Sequence, residues 1–339
     1  MSHRNRKPIR RALAIPFEWL AIFLGLLVFA WMPRNWLLKL CDMLSVVYYF
    51  FDHRGKRRAL ENLHIIRGTC NGVEGTRKYD PDSAEYRPHE REAKIIRRAY
   101  RNMSRTIGHI FWTSLNARRR AAVAAELSKE CRDFLRANRP AITVSAHLGC
   151  WEVLSQLAFL EGHSMISVAK DIGSGGMTKL LMRARKSIGQ EIVPADGAFK
   201  PLLKGIRSGM SLGLLVDQKV GTKKGGIWIR FLGKPMPVSA APAYFATKLK
   251  LPIVVAWSRP LADGRYRCEF ISTPALPAGE ANSSAVDPVW TLTQKIADDI
   301  GRVIKRHPSC WILSYNYFRD YMTPEEEAEF NTREREAAK

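Results

Sequence analysis

The sequence predicts an α/β protein in which helices flank a mixed, mostly parallel sheet and a membrane helix precedes that sheet. From residue 141 onward, apolar strand-like runs alternate with helical patterns, which is typical of parallel strands joined by helical crossovers. Hydrophobic residues make up 46% of the 339 residues, enough for a sizeable core and too many for a disordered chain. An apolar stretch at residues 12–32 predicts the membrane helix.

The N-terminal part, residues 1–52, is expected to hold membrane-anchoring helices. Basic residues precede the apolar stretch at 12–32, which reaches the roughly 20 residues needed to span a bilayer. The next segment is apolar again and no small-residue cleavage site intervenes, which favours an uncleaved anchor over a signal peptide or a buried soluble helix. Because the basic run at 53–58 resists export, we favour a shallow or tilted helix followed by an amphipathic one, with both flanks inside.

Residues 53–135 are expected to form a basic helical region. The pattern predicts a basic helix at 54–68, a polar loop rich in turn formers at 71–88, and helical structure over 90–130. One face of the last segment carries several arginines. That face is either solvated or in contact with lipid headgroups.

Residues 136–320 are expected to form the α/β core, and residues 321–339 a charged tail. Strands are predicted at residues 141–146, 163–169, 191–193, 211–216, 226–231, 252–257 and 266–271. The alternation in the last of these is typical of an edge strand. Helices are predicted at residues 149–160, 176–188, 199–207, 239–249 and 288–306.

Charge and cysteine content limit the classes of function. The formal net charge of +22 predicts an anionic partner, such as a membrane surface, an acidic substrate or nucleic acid. No recognised nucleic-acid-binding motif is present, so we expect no nucleic-acid partner. The six cysteines form no CxxC pair and their spacing suggests no metal site, which favours a reducing compartment.

The stretch SAHLGCWE, residues 145–152, holds the strongest candidate for chemistry. His147 follows a predicted strand, the usual place for sites in open α/β sheets, and Glu152 comes five residues later. The two side chains can meet only if His147 lies in the turn before the helix, with Gly149 permitting the tight backbone. Glu152 would then orient the imidazole, and His147 would act as general base. A structural histidine and a nucleophilic Cys150 are the alternatives.

Two further stretches carry candidate binding residues. Asp217 also follows a buried strand, and a basic, glycine-rich loop comes after it. Such a loop can hold a phosphate, although it fits no nucleotide-binding pattern, and an exposed hairpin loop is the alternative. Arg183 and Arg185 are candidates for a phosphate clamp, or simply lie on a solvated helix face.

Taken together and in this order, the motifs resemble those of the bacterial lipid A late acyltransferases and the related phosphatidylinositol mannoside acyltransferases. They are RRALENL, AYRNMSRTIGHIFW, SAHLGCWE, RARKSIG, DQKVG with GGIWIRFLGKP, and RHPSCW. The resemblance covers nearly the whole chain and implies a glycerolipid-acyltransferase-like fold. It also implies acyl transfer from a thioester, acyl-ACP or acyl-CoA, to a lipid hydroxyl, with no metal or bound organic cofactor.

The resemblance also carries roles for individual residues. His147 corresponds to the family's general base and Glu152 to the acid that orients it. Arg183, or else Arg185, would bind a substrate phosphate, and Asp217 would help shape the site. We expect backbone amides near Gly149 to stabilise the oxyanion.

Departures from the family pattern leave the acceptor open. Lys170 stands where many members have arginine, Tyr315 replaces a histidine, and the loop at 71–88 is long. The acceptor is therefore a lipid A precursor or similar glycolipid, or else an ornithine-type, phospholipid or mannoside lipid. A basic membrane-bound scaffold is the non-enzymatic alternative. The expected location is the bacterial inner membrane, with the catalytic domain on the cytoplasmic face.

Overall fold

The computed structural model describes most of the chain. The described residues are 24, 31–68, 90–113, 116–169, 182–183, 185–186, 189–274, 287–318 and 321–337. The helices are α1 (Arg34–Phe51), α2 (His53–Arg67), α3 (Glu90–Thr113), α4 (Ala117–Ala124), α5 (Lys129–Ala137), α6 (Glu152–Leu160), α7 (Phe199–Arg207), α8 (Ala241–Leu249), α9 (Pro288–Arg306) and α10 (Pro324–Ala337). The strands are β1 (Ala125–Leu127), β2 (Ile142–Ser145), β3 (Met165–Ala169), β4 (Gln190–Pro194), β5 (Ser211–Leu215), β6 (Gly226–Phe231), β7 (Lys234–Ser239), β8 (Ile253–Pro260) and β9 (Tyr266–Ser272).

Seven of these strands form one sheet in the order β1-β9-β8-β2-β5-β3-β4. From β8 to β4 all neighbours run parallel, whereas β9 is antiparallel to β8. Helices cover the sheet, so the central strands are buried on both faces and read as nearly continuous apolar runs. Ile142, Val144, Leu212 and Val255 are almost wholly buried, and each stabilises the fold by about 1.5–3 kcal/mol relative to exposure. The predicted mixed, mostly parallel α/β architecture is confirmed.

Two strands lie differently from the prediction. The segment 266–271 was expected at an edge, but β1 pairs with β9 in parallel and takes the edge position. This pairing also ends the helical stretch expected over 90–130, because the backbone of Ala125–Leu127 bonds to β9 instead of continuing α4. The segment 226–231 joins no part of the main sheet and forms a separate antiparallel hairpin with β7.

The first two helices pack on the core through narrow stripes. α1 faces α3 with Leu37, Cys41 and Ser45, which are spaced four residues apart and lie on one side of the helix. The basic helix predicted at 54–68 is confirmed as α2, which starts with Asp52 accepting a hydrogen bond from the Gly55 amide. The outward side of α1 is apolar and exposed, the reverse of the usual amphipathic pattern.

Several predictions fall outside the described residues. They include the polar loop at 71–88, most of the helix at 176–188 and all but residues 24, 31 and 32 of the anchor at 12–32. Within the described ranges, no helix is both long and apolar enough to cross a membrane. The charged tail contains α10, whose Glu334 pairs with Arg230 of β6 and so ties the tail to the hairpin.

Candidate active site

Two neighbouring parallel strands of the sheet end at the same level, and each is followed by a polar residue. β2 and β5 pair with Ser145 opposite Leu215. His147 and Asp217 each lie two residues past that pair, so the sheet register brings them together. The site therefore lies at the carboxyl end of the parallel strands, where open α/β sheets bind their substrates.

Asp217 holds His147 through two separate hydrogen bonds. Its Oδ1 lies 2.8 Å from the imidazole Nδ1, and its Oδ2 accepts the backbone N–H of His147 at 3.0 Å. Oδ2 also accepts the indole N–H of Trp311 at 2.9 Å. The carboxylate accepts from Nδ1 and so assigns the ring proton to that nitrogen, which makes Nε2 the proton-accepting nitrogen. The amide nitrogen of Gln218 lies 3.5 Å from Nε2.

Electrostatics keep Asp217 charged although it is fully buried. Burial alone would raise the pKa of this carboxyl group, because removal from water disfavours the charged form. The positive charge that His147 carries when protonated, together with the hydrogen bonds from His147 and Trp311, outweighs that effect and lowers the pKa. Asp217 thus remains an anion that can stabilise a positive charge on the imidazole.

The turn between β2 and α6 is fixed from the C-terminal side of the chain. The amide of Gly149 donates to the carbonyl of Cys310 at 2.8 Å, and Leu148 forms an isolated bridge with Trp311. Gly149 has φ +59°, and a Cβ there would lie 1.7 Å from the carbonyl oxygen of Ser258. Only glycine fits this position.

Backbone amides near Gly149 were expected to stabilise the oxyanion, and this arrangement excludes the amide of Gly149 itself. Its amide is already bonded to a carbonyl oxygen and is not free to stabilise an oxyanion. Gly149 instead allows two backbone segments to approach closely, and so it sets the position of the turn that carries His147. His147 does lie ahead of α6, as the spacing required.

The structure also corrects the expected partner of Glu152. Glu152 begins α6 and is 6% exposed, but among the described residues its hydrogen bonds go to Arg185 and Trp151. Arg185 Nε donates to Oε2 at 3.1 Å, its Nη2 donates to Oε1, and Trp151 Nε1 donates to Oε1 at 3.2 Å. The carboxylate that contacts His147 is Asp217, from a strand 70 residues away.

The remaining candidate residues are the two arginines, Lys170 and Cys150. Arg185 is buried and paired with Glu152, whereas Arg183 is exposed. Lys170 lies outside the described residues. Burial and the neighbouring Glu152 raise the pKa of the Cys150 thiol, so this residue is a poor nucleophile. The described residues contain no group of three or more histidine, cysteine, aspartate or glutamate side chains arranged to hold a metal ion.

Three residues of the site were missed from the sequence. Trp311 donates to Asp217, the Trp151 ring lies edge-to-face on the imidazole at 4.7 Å between centroids, and Gln218 Nε2 lies 3.5 Å from His147 Nε2. Trp151 and Gln218 each adjoin a residue that was singled out, so proximity in sequence could have found them. Trp311 is the last residue of the RHPSCW motif, which was quoted for the resemblance but given no role in the site.

A cavity adjoins the site on the α6 side of the sheet. Its volume is about 530 Å³, including the part open to solvent. Trp151 and Glu152 line it together with small polar residues of β2 and β3, namely Thr143, Ser145 and Ser167. The cavity therefore lies next to the ring that packs on His147.

An imidazole bonded at Nδ1 to a buried carboxylate, at the carboxyl end of parallel strands, is typical of enzymes that activate a hydroxyl group. Residues 85–320 match the sequence model of the bacterial lipid A biosynthesis acyltransferases. This match spans more than half of the chain, and the protein belongs to that family. It is accordingly an acyltransferase, and the family implies an acyl donor and a lipid acceptor. A search of the curated proteins finds no matching relative.

Proposed function

We propose that the protein transfers a fatty acyl chain from acyl-ACP or acyl-CoA to a hydroxyl of a lipid A precursor or similar glycolipid. The observation that carries this proposal is the imidazole of His147, which contacts a buried, charged Asp217 at Nδ1 and therefore has Nε2 as its proton-accepting nitrogen. Family membership supports a lipid acceptor and an acyl donor.

The mechanism follows from this tautomer. Nε2 of His147 takes the proton of the acceptor hydroxyl while the oxygen attacks the thioester carbonyl, forming a carbon–oxygen bond. Asp217 stabilises the imidazolium that results. The tetrahedral intermediate collapses with breakage of the carbon–sulfur bond, and the imidazolium returns the proton to the leaving thiolate. The products are an ester and a free thiol, and the chemistry needs no metal or organic cofactor.

Positive charge supports an anionic substrate and an anionic surface. The net charge is +22, and Arg97, Arg98 and Arg101 are exposed on α3. Arg105 on the same helix instead pairs with Asp42 of α1. We assign the exposed arginines to lipid headgroups or an acidic carrier, and Arg183 to a phosphate of the substrate.

We further propose that the enzyme acts at the cytoplasmic face of the bacterial inner membrane. Trp36, Phe50 and Phe51 on α1 are 69%, 70% and 72% exposed, and Met43 and Val47 lie exposed between them. An apolar helix face of this kind lies in the membrane interface, with its apolar side buried among the lipids.

The orientation of α1 can be tested with an environment-sensitive fluorophore. The label is placed on Val47→Cys of α1 or, as a control, on Glu327→Cys of α10, with the signal of the labelled parent chain subtracted. On vesicles with anionic lipid, the emission of the α1 label should shift to the blue and the control should not change. Water-like emission at position 47 would contradict the proposed contact.

The function is tested by mass spectrometry of lipids from a deletion strain. The strain should lack one acyl chain on a lipid A-type glycolipid. The intact gene should restore that chain, His147→Ala should not, and the control His307→Ala, a histidine outside the site, should. Restoration by His147→Ala would contradict the mechanism. Loss of the chain from an ornithine-type lipid, a phospholipid or a mannoside lipid would contradict the proposed acceptor.

A further inference from the structure

Glu152 occupies the acidic position of the His147…Glu152 motif, yet its carboxylate is bonded elsewhere. It is buried in the first turn of α6 between two donors, the guanidinium of Arg185 and the indole N–H of Trp151. Arg185 is itself 9% exposed and binds both carboxylate oxygens. A buried carboxylate needs such a partner, because an unpaired buried charge is strongly destabilising. Glu152 is thus fixed in place by Arg185.

Trp151 connects this ion pair to the base. Its indole N–H donates to Glu152 Oε1 at 3.2 Å, and its ring contacts the imidazole of His147 edge-to-face, with an interplanar angle of 65°. Aromatic pairs favour this geometry. The indole is therefore held at its nitrogen by Glu152 and lies against His147 with its ring.

The imidazole needs this second support. Asp217 fixes the tautomer through its bond to Nδ1, and the only other polar contact to the ring among the described residues is the Gln218 amide, 3.5 Å from Nε2. Hydrogen bonds in the plane of the ring still allow it to tilt. Nε2 points at the reacting hydroxyl and moves most when the ring tilts. Small displacements of a reacting group reduce rates strongly, so a surface that limits the tilt increases the rate without adding a charge.

We propose that Arg185, Glu152 and Trp151 form a positioning brace that holds the imidazole of His147 through the ring contact with Trp151. Asp217 determines which nitrogen carries the proton, and the brace determines where the other nitrogen points. Glu152 acts on His147 only through Trp151. This assignment rests on the proposed function, in which His147 is the general base.

The test measures acyl transfer by the purified full-length protein, with a radiolabelled acyl thioester and total membrane lipid as acceptor. Trp151→Phe keeps the ring and removes its N–H group, whereas Glu152→Gln keeps an acceptor oxygen and removes the charge. Each should lower kcat about tenfold, with KM and the apparent pKa of the acidic limb unchanged. Because both changes act on the same connection from Arg185 through Glu152 to Trp151, the double variant should lose no more than the more affected single variant.

Three results would overturn the brace. One is a downward shift of the acidic-limb pKa in Glu152→Gln, because a carboxylate that acts directly on the imidazole raises its pKa. Another is a double variant in which the two losses multiply. If Glu152→Gln does not fold, Trp151→Phe alone decides, and an unchanged kcat refutes the proposal. Failure of the proposed function is distinguishable, because His147→Ala would then retain activity.

Discussion

The substitution Asp217→Asn tests how the buried carboxylate controls the base. Oδ2 accepts two N–H groups that cannot exchange roles, the backbone amide of His147 and the indole of Trp311. The amide oxygen of asparagine must therefore take the Oδ2 position, and its NH₂ group must face Nδ1. The imidazole then accepts at Nδ1 and carries its proton on Nε2, where it cannot take the proton of the acceptor.

The expected loss is large in rate and small in binding. A base held in the wrong tautomer loses roughly 10⁴-fold in kcat, about 5 kcal/mol of activation free energy. KM should change little, because Asp217 is fully buried. The assay is the initial rate of acyl transfer as a function of acceptor concentration. Asp299→Asn provides the control, since Asp299 is equally a buried carboxylate but lies on α9 and binds Ser272 and Arg302.

A kcat for Asp217→Asn within tenfold of the parent enzyme, in a protein that melts at a similar temperature, would refute this reasoning. A similar loss in Asp299→Asn would also refute it, because the effect would then follow from removing any buried charge. An intact Asp299→Asn beside an inactive Asp217→Asn supports tautomer control.

Two further predictions concern stability. Gly149→Ala should lower the free energy of unfolding by more than the roughly 1–2 kcal/mol of a left-handed backbone, because its Cβ meets the Ser258 carbonyl. Gly209 has φ +83°, and a Cβ there would meet no atom within 4 Å, so Gly209→Ala should lower the free energy of unfolding only by the cost of the left-handed backbone. Equal losses of unfolding free energy for the two variants in urea titrations would contradict the prediction. Burial lowers the pKa of His109 to about 4, although its bond to Gln156 opposes this shift. The unfolded chain therefore binds the extra proton, and stability should fall by about 3 kcal/mol from pH 6.5 to pH 4. In His109→Gln, the free energy of unfolding from urea titrations should depend less on pH between pH 6.5 and pH 4. An unchanged pH dependence would contradict the assignment of this effect to His109.

Local patterns predicted most elements of the core because periodicity acts within a segment. The strands beginning near residues 141, 211 and 252 and the helix at 288–306 lie where the apolar spacing indicates. β1 escaped prediction because its residues favour a helix in isolation. Pairing with β9 across more than a hundred residues overrides that preference. β7 was missed in the same way, since two prolines weaken its strand signal and pairing with β6 stabilises it.

For the site, the sequence by itself determined where His147 lies in the fold. A polar residue that directly follows a buried parallel strand lies at the carboxyl end of that strand. His147 and Asp217 could therefore each be placed at that end of the sheet from the sequence. Only the tertiary structure decided which carboxylate contacts the imidazole of His147. That choice depends on strand order and register, and β2 lies beside β5 with Ser145 opposite Leu215. Glu152 is near His147 in sequence, but the start of α6 turns its carboxylate toward Arg185, while the sheet brings Asp217 within hydrogen-bonding distance.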